Sequence, residues 1–225
     1  MNGAAQAPVV VPLHAGTAAS PVRRSLDLPD LIARAVIVTL FTMMTMRLGA
    51  NFLETGRITG LLLVASELLV VVLTVARRRA RTLDRTVRAR LLTAMSMAGP
   101  PLVYPVVTGA LAPETLTAGV SAVGLAIVIG GKVSLGRSFG LMPANRGIVS
   151  AGLYRLVRHP IYLGYLITHA AFLAAHPLPW NGALLVLADT ALVLRAIHEE
   201  RTLAADPSYQ AYAARVRWRL VPGLY

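Results

Sequence analysis

Apolar runs of membrane length, set apart by short loops rich in arginine, constrain the fold of this chain more than any other feature. A bilayer's hydrocarbon core is about 30 Å thick, and roughly 20 apolar helical residues cross it. No water there satisfies backbone N–H and C=O groups, so a span that is not part of a closed barrel must be helical. The chain has 225 residues, 56% hydrophobic and 14% charged, with no polar block of domain size between its apolar runs. The sequence therefore predicts an all-α polytopic transmembrane bundle without a separate soluble catalytic domain.

Six spans are expected, over residues 31–48, 58–76, 91–110, 116–135, 160–175 and 182–203, the last two forming a short hairpin. A polar turn around Asn51, Glu54 and Arg57 separates the first pair. Arg77 to Arg90 is the densest positive loop, and short Arg-rich loops stay in the cytoplasm. The loop at Pro113-Glu114 carries no Lys or Arg, as an outside loop should, and Lys132, Arg137, Arg146, Arg155 and Arg158 bring the next segment back inside. Both termini then lie in the cytoplasm. Residues 1–30 read as a mobile tail without a signal peptide, 31–110 as N-terminal transmembrane helices, and 111–225 as the functional core.

Local signals refine this picture. Pro100-Pro101 and Pro105 must kink or break the third span unless neighbours satisfy its freed carbonyls. Ala118, Ala122, Ala126 and Gly130, spaced by four, form a small-residue stripe that invites close helix packing. Pro160 suits a first helical turn, and Trp180 is a candidate interfacial anchor. After Asp206-Pro207, Ser208 is placed to cap a short amphipathic helix with Tyr209, Tyr212, Ala213 and Val216 on one face. The basic face and tail, with Arg215, Arg217 and Arg219, suit an anionic leaflet.

The formal net charge of +12 comes almost wholly from arginines placed between apolar spans, which fits membrane orientation and not nucleic-acid binding. With no cysteine the chain has no disulfide, thiolate metal site or cysteine nucleophile. His14, His169, His176 and His198 lack the paired spacing of a metal site, and no metal is expected. A G-x-S-x-G elbow, a P-loop and a dinucleotide fingerprint are all missing. Glu67 and Asp189 are intramembrane acids and so functional candidates, but no matching basic pattern supports cation transport.

Chemistry concentrates at the cytoplasmic end of the hairpin. Arg158 and His159 enter a helix on which Tyr162, Tyr165 or Leu166, and His169 follow one face. Glu199 and Glu200 close the returning helix, and paired acids gain nothing from the positive-inside rule. An intrahelical pair with Arg195 accounts for one glutamate, and a partner in Arg158 or a cationic ligand is the alternative.

Leu135-Gly136-Arg137-Ser138-Phe139, the run Gly152 to Gly164 that contains Arg158-His159-Pro160-Ile161-Tyr162, Glu199-Glu200-Arg201-Thr202-Leu203 and Tyr209-Gln210-Ala211-Tyr212 together resemble the isoprenylcysteine carboxyl methyltransferase family, which belongs with the membrane phospholipid N-methyltransferases. The resemblance covers about residues 130–222. It implies an S-adenosylmethionine-dependent methyltransferase whose cofactor enters from the cytoplasm and whose lipophilic or lipidated substrate arrives from the bilayer. It implies His159, Tyr162, Gly164, Glu199 and Glu200 on the cofactor side, with Arg158 and Glu199 at the reacting centre, where Glu199 holds Arg158 or the cofactor in place.

These residue types suit that chemistry. A glutamate accepts from the hydroxyl or ammonium groups of the sulfonium cofactor, and an arginine binds a carboxylate bidentately. An acceptor carboxylate is already ionised and needs no base, whereas a phospholipid amine or small thiol must lose a proton. O-methylation of an isoprenylcysteine-like carboxylate is the leading expectation, with amine and thiol acceptors as enzymatic alternatives. A non-catalytic transporter or scaffold is the reading from another class.

Overall fold

The computed structural model describes residues 28–65, 82–83, 86–106, 109–135, 144–145 and 148–224. The tail over residues 1–27, Glu67, the arginines over 77–81, the 136–140 connection and Arg146 lie outside the described residues.

Helix α1 spans Leu28–Thr55, so Asn51 and Glu54 belong to the helix and not to the polar turn expected there. The chain turns instead at Gly56, whose φ of +71° is open to glycine at little steric cost. Helix α2 opens at Thr59 and is described through residue 65. Its first turn is tied to a distant helix, because Glu114 Oε1 accepts from Thr59 N at 3.1 Å and from Thr59 Oγ1 at 2.9 Å.

The expected third span, 91–110, is corrected to a 12-residue helix α3, Val87–Ala98, followed by a 3-10 turn at Pro100–Leu102 and extended chain. Proline lacks an N–H and clashes with the preceding turn, so the helix ends where the prolines begin. The freed backbone groups are met by side chains. Arg47 donates to Pro101 O, Trp180 Nε1 to Leu102 O at 3.0 Å, and Arg57 to Val106 O at 2.9 Å. Asn181 pairs with both backbone groups of Tyr104, at 2.9 and 2.8 Å, much as a neighbouring strand would.

Helix α4, Glu114–Leu135, packs antiparallel on helix α5, Pro160–Ala175. The contact face of α4 is Thr117, Ser121, Gly124, Val128 and Gly131, all buried, and not the Ala118–Gly130 stripe, whose Ala122 and Ala126 are exposed. A Cβ on Gly164 would lie 2.6 Å from Val128 Cγ2 and 2.7 Å from Gly124 O, so only glycine permits this approach. Helix α6, Pro179–Leu203, returns beside α5 and also receives α3, where Gly99 abuts Ala188.

Helix α7, Pro207–Arg215, is capped by Asp206, which accepts from Ser208 N at 2.9 Å, and the expected cap Ser208 is thus the donor. Its apolar face covers protein: Tyr209, Tyr212 and Val216 are buried with Tyr154. A two-residue antiparallel bridge joins Thr82–Leu83, β1, to Ala144–Asn145, β2.

Among the described helices, α4 (22 residues, mean hydropathy 1.8) and α6 (25 residues, 1.4) are long and apolar enough to cross a membrane. Only 39% of either apolar window is buried in the protein. Val120, Val123 and Val133 on α4 and Val186 and Leu187 on α6 face outward, a surface suited to lipid. Helix α5 is apolar but has 16 residues.

Candidate functional site

The antiparallel hairpin brings the start of α5 against the end of α6, and the C-terminal segment closes over both. Arg158 N donates to Trp218 O at 2.9 Å and His159 N to Arg219 O at 2.8 Å. His159 is the residue before Pro160, with φ −128° and ψ 60°, outside the helical region that a following proline disfavours.

Glu200 is the hub. Its carboxylate accepts from Arg158 NH1 at 3.3 and 3.2 Å and from Arg219 Nε at 2.9 Å, and lies 3.1 Å from His159 Nε2. A carboxylate that is about 10% exposed can sit here because basic groups from the hairpin start and the C-terminal segment surround it. Arg158 also donates through Nε to Val216 O at 2.7 Å and through NH2 to Ala213 O at 3.0 Å, so its guanidinium fastens the end of α7 and the chain beyond to the hairpin.

Glu199, one residue earlier on the same helix, points elsewhere. Its Oε2 accepts from Tyr162 OH at 2.8 Å. The Tyr162 ring stacks on His159, centroids 5.3 Å apart and planes 4° from parallel, and its face carries the Arg195 guanidinium at 5.4 Å. The expected contact of Glu199 with Arg158 is therefore corrected: Glu200 holds Arg158, and Glu199 holds Tyr162. Gly164 faces α4 as a packing residue, away from the charged hub.

Two residues of the hub come from the C-terminal segment read as leaflet-facing. Arg219 closes on Glu200, and the Tyr209 hydroxyl is buried without a hydrogen-bond partner among the described residues. Their sequence signals were Tyr209-Gln210-Ala211-Tyr212 in the resemblance and the Asp206-Pro207 helix start. Burial raises the phenols of Tyr154, Tyr209 and Tyr212, the last to about 12. All three therefore stay neutral, and Tyr212 donates to Tyr154 O at 2.9 Å.

This donor set fits S-adenosylmethionine. Glu199 has a second oxygen for an ammonium or ribose hydroxyl, and the Tyr209 hydroxyl is an orphaned buried polar group. Among the described residues no group of His, Asp and Glu is arranged to hold a metal.

Comparison with known proteins gives a partial likeness. No family model matches the chain. Over 76 residues it is 43% identical to methanethiol S-methyltransferase 2 of Bradyrhizobium diazoefficiens, a match that takes in 32% of this chain and 28% of the length of that relative.

Proposed function

We propose that this chain is a membrane-embedded S-adenosylmethionine-dependent methyltransferase acting on a small, bilayer-soluble thiol, with the cofactor at the cytoplasmic end of the α5–α6 hairpin. The carrying observation is the half-buried Glu199 carboxylate, one oxygen on Tyr162 and the other left for a ligand, beside the Glu200 hub and the orphaned Tyr209 hydroxyl, which together offer acceptors to a cationic nucleoside. The partial identity to a methanethiol S-methyltransferase supports both the reaction and the acceptor class.

The bound cofactor supplies an activated methyl group on a sulfonium. The chain binds and orients: Glu199 and Tyr162 hold polar groups of the cofactor, and Glu200 keeps Arg158 and Arg219 in place so that the C-terminal segment shields the site from water. Arg158 is a positioning residue in this scheme. Its Nε, NH1 and NH2 all donate to protein acceptors, which weakens the expectation that it orients an isoprenylcysteine-like carboxylate. The thiol reading is favoured over O-methylation on that ground.

A cytoplasmic position for the hub is part of this proposal, since its arginines then meet a water-borne cofactor. Incubating the purified chain in bilayers with methyl-labelled cofactor and a panel of alkanethiols, prenylcysteine analogues and aminophospholipids tests it. Labelled thioether is expected. Product only from the carboxylates or the amines would refute the thiol reading, and no product from any acceptor would refute the enzyme.

A further inference from the structure

Deeper in the hairpin lies a second titratable pair that the cofactor end does not use. His169 Nδ1 lies 2.6 Å from Asp189 Oδ1, joining the middles of α5 and α6. The His169 side chain is 2% exposed, and its other ring nitrogen, Nε2, is buried without a hydrogen-bond partner among the described residues. A carboxylate oxygen accepts, so in the neutral imidazole Nδ1 carries the hydrogen and Nε2 presents a lone pair. A buried lone pair with no donor costs free energy unless something occupies it.

The pair is the inner rung of a polar ladder between the two helices. From the cytoplasmic end, His159 meets Glu200, Tyr162 meets Glu199 and Arg195, and His169 meets Asp189. Between the last two rungs Tyr165 stacks on His169 at 6.0 Å and receives the fully buried Lys132 of α4 at 5.0 Å. At 1.5 Å per residue, His169 lies about 10 Å beyond Tyr162 along the helix, on the side away from the arginines. Asp189 keeps 25% of its side chain exposed and shares its stretch of α6 with the outward-facing Val186 and Leu187, so the carboxylate of the rung borders the lipid-facing flank.

A water-borne cofactor at one end and a polar, lipid-bordering rung at the other leave a defined task for that rung. We propose that His169 is the catalytic base that takes the proton of the thiol acceptor, with Asp189 as the residue that positions its imidazole. The proposal rests on the methyltransferase reading and deepens it, because an acceptor that must lose a proton needs a base and an ionised carboxylate does not. The S–H bond breaks, the proton passes to Nε2, and the electron pair left on sulfur forms the new S–C bond. The donor's sulfur keeps the pair of the bond that breaks, and the imidazolium later releases its proton to solvent. The geometry is that of a base oriented by a carboxylate, as in other activated nucleophiles.

The test uses the full chain in bilayers with His169→Gln and Asp189→Asn. The acceptors are ethanethiol, which is protonated at neutral pH, and an acidic arenethiol that is already ionised. His169→Gln is expected to lower methyl transfer to ethanethiol by about a hundredfold or more, the range of general-base catalysis, while lowering transfer to the arenethiol only a few-fold. Asp189→Asn is expected to fall between wild type and His169→Gln. Cofactor affinity should stay within about twofold of wild type in both variants, because the rung lies beyond the hub.

Ethanethiol binding to the cofactor-free chain should weaken at least about fivefold in His169→Phe, which keeps a ring but has no acceptor lone pair. Equal loss with both thiols, ethanethiol transfer near the wild-type rate in His169→Gln, or unchanged ethanethiol binding would each overturn the base assignment. Failure of wild type to bind the cofactor would instead overturn the methyltransferase reading, and the cofactor-free binding comparison would still decide whether His169 takes the thiol.

Discussion

Replacing Glu200 with glutamine removes the counter-charge of the hub while keeping its volume. Arg158 and Glu200 are 14% and 10% exposed, and deleting one partner of a buried pair costs about 3–5 kcal/mol because the other charge is left without compensation. Arg219, also on Glu200, is 40% exposed and can turn toward water, which places the expected loss at the low end, about 3 kcal/mol. For a chain of this size each kcal/mol moves the midpoint by roughly 2–4 °C, so Glu200→Gln should lower the unfolding temperature by about 6–12 °C. Arg219→Ala, which removes the more exposed partner of Glu200, should cost about 0–1 kcal/mol and shift it by at most about 4 °C. Thermal unfolding of the purified protein in detergent, followed by tryptophan fluorescence, measures both. Because Arg158 also holds the carbonyls of Ala213 and Val216, the same variant should loosen the backbone there and speed trypsin cleavage after the exposed Arg217. A shift for Glu200→Gln no larger than for Arg219→Ala, with unchanged trypsin cleavage, would refute the hub.

Three further perturbations separate packing from binding. Gly164→Ala places a methyl 2.6–2.9 Å from Val128 and Gly124, two of the atoms being backbone, and should cost about 1–3 kcal/mol in a denaturant titration, whereas Gly119→Ala, with nothing within 4 Å, should be neutral or stabilising. Asn181→Leu leaves both backbone groups of Tyr104 and the carbonyl of His176 without their side-chain partner and should lose about 2–4 kcal/mol in the same titration. Tyr162→Phe removes the hydrogen bond to Glu199 and should weaken cofactor binding by about tenfold, read by calorimetry, with little change in unfolding temperature.

The hairpin was legible in the sequence because its signals are local: two apolar runs, Pro160 at a helix start and Pro177 and Pro179 flanking the turn. Which glutamate meets Arg158 was not, because adjacent helical residues point about 100° apart and the roll of α6 is set by packing against α3 and α5. The small-residue stripe failed for a related reason. A spacing of four drifts around a helix, whereas the observed face of Thr117, Ser121, Gly124, Val128 and Gly131 alternates four and three and stays in register. The prolines announced the break in the third span, but not that Asn181 and Trp180, about 80 residues away, would satisfy it. Arg219 and Tyr209 were not legible as site residues because a basic, aromatic C-terminal segment fits a leaflet as well as it fits a hub. Its backbone pairing with Arg158 and His159 is a long-range contact that no local pattern encodes.

Equilibrium binding of S-adenosylmethionine to the purified chain, compared with Glu199→Gln, tests the central claim most directly. The account predicts saturable binding by wild type and at least about tenfold weaker binding by the variant, the loss expected when a charged hydrogen-bond acceptor is neutralised. No binding at millimolar cofactor, or equal affinity in the two proteins, would contradict it.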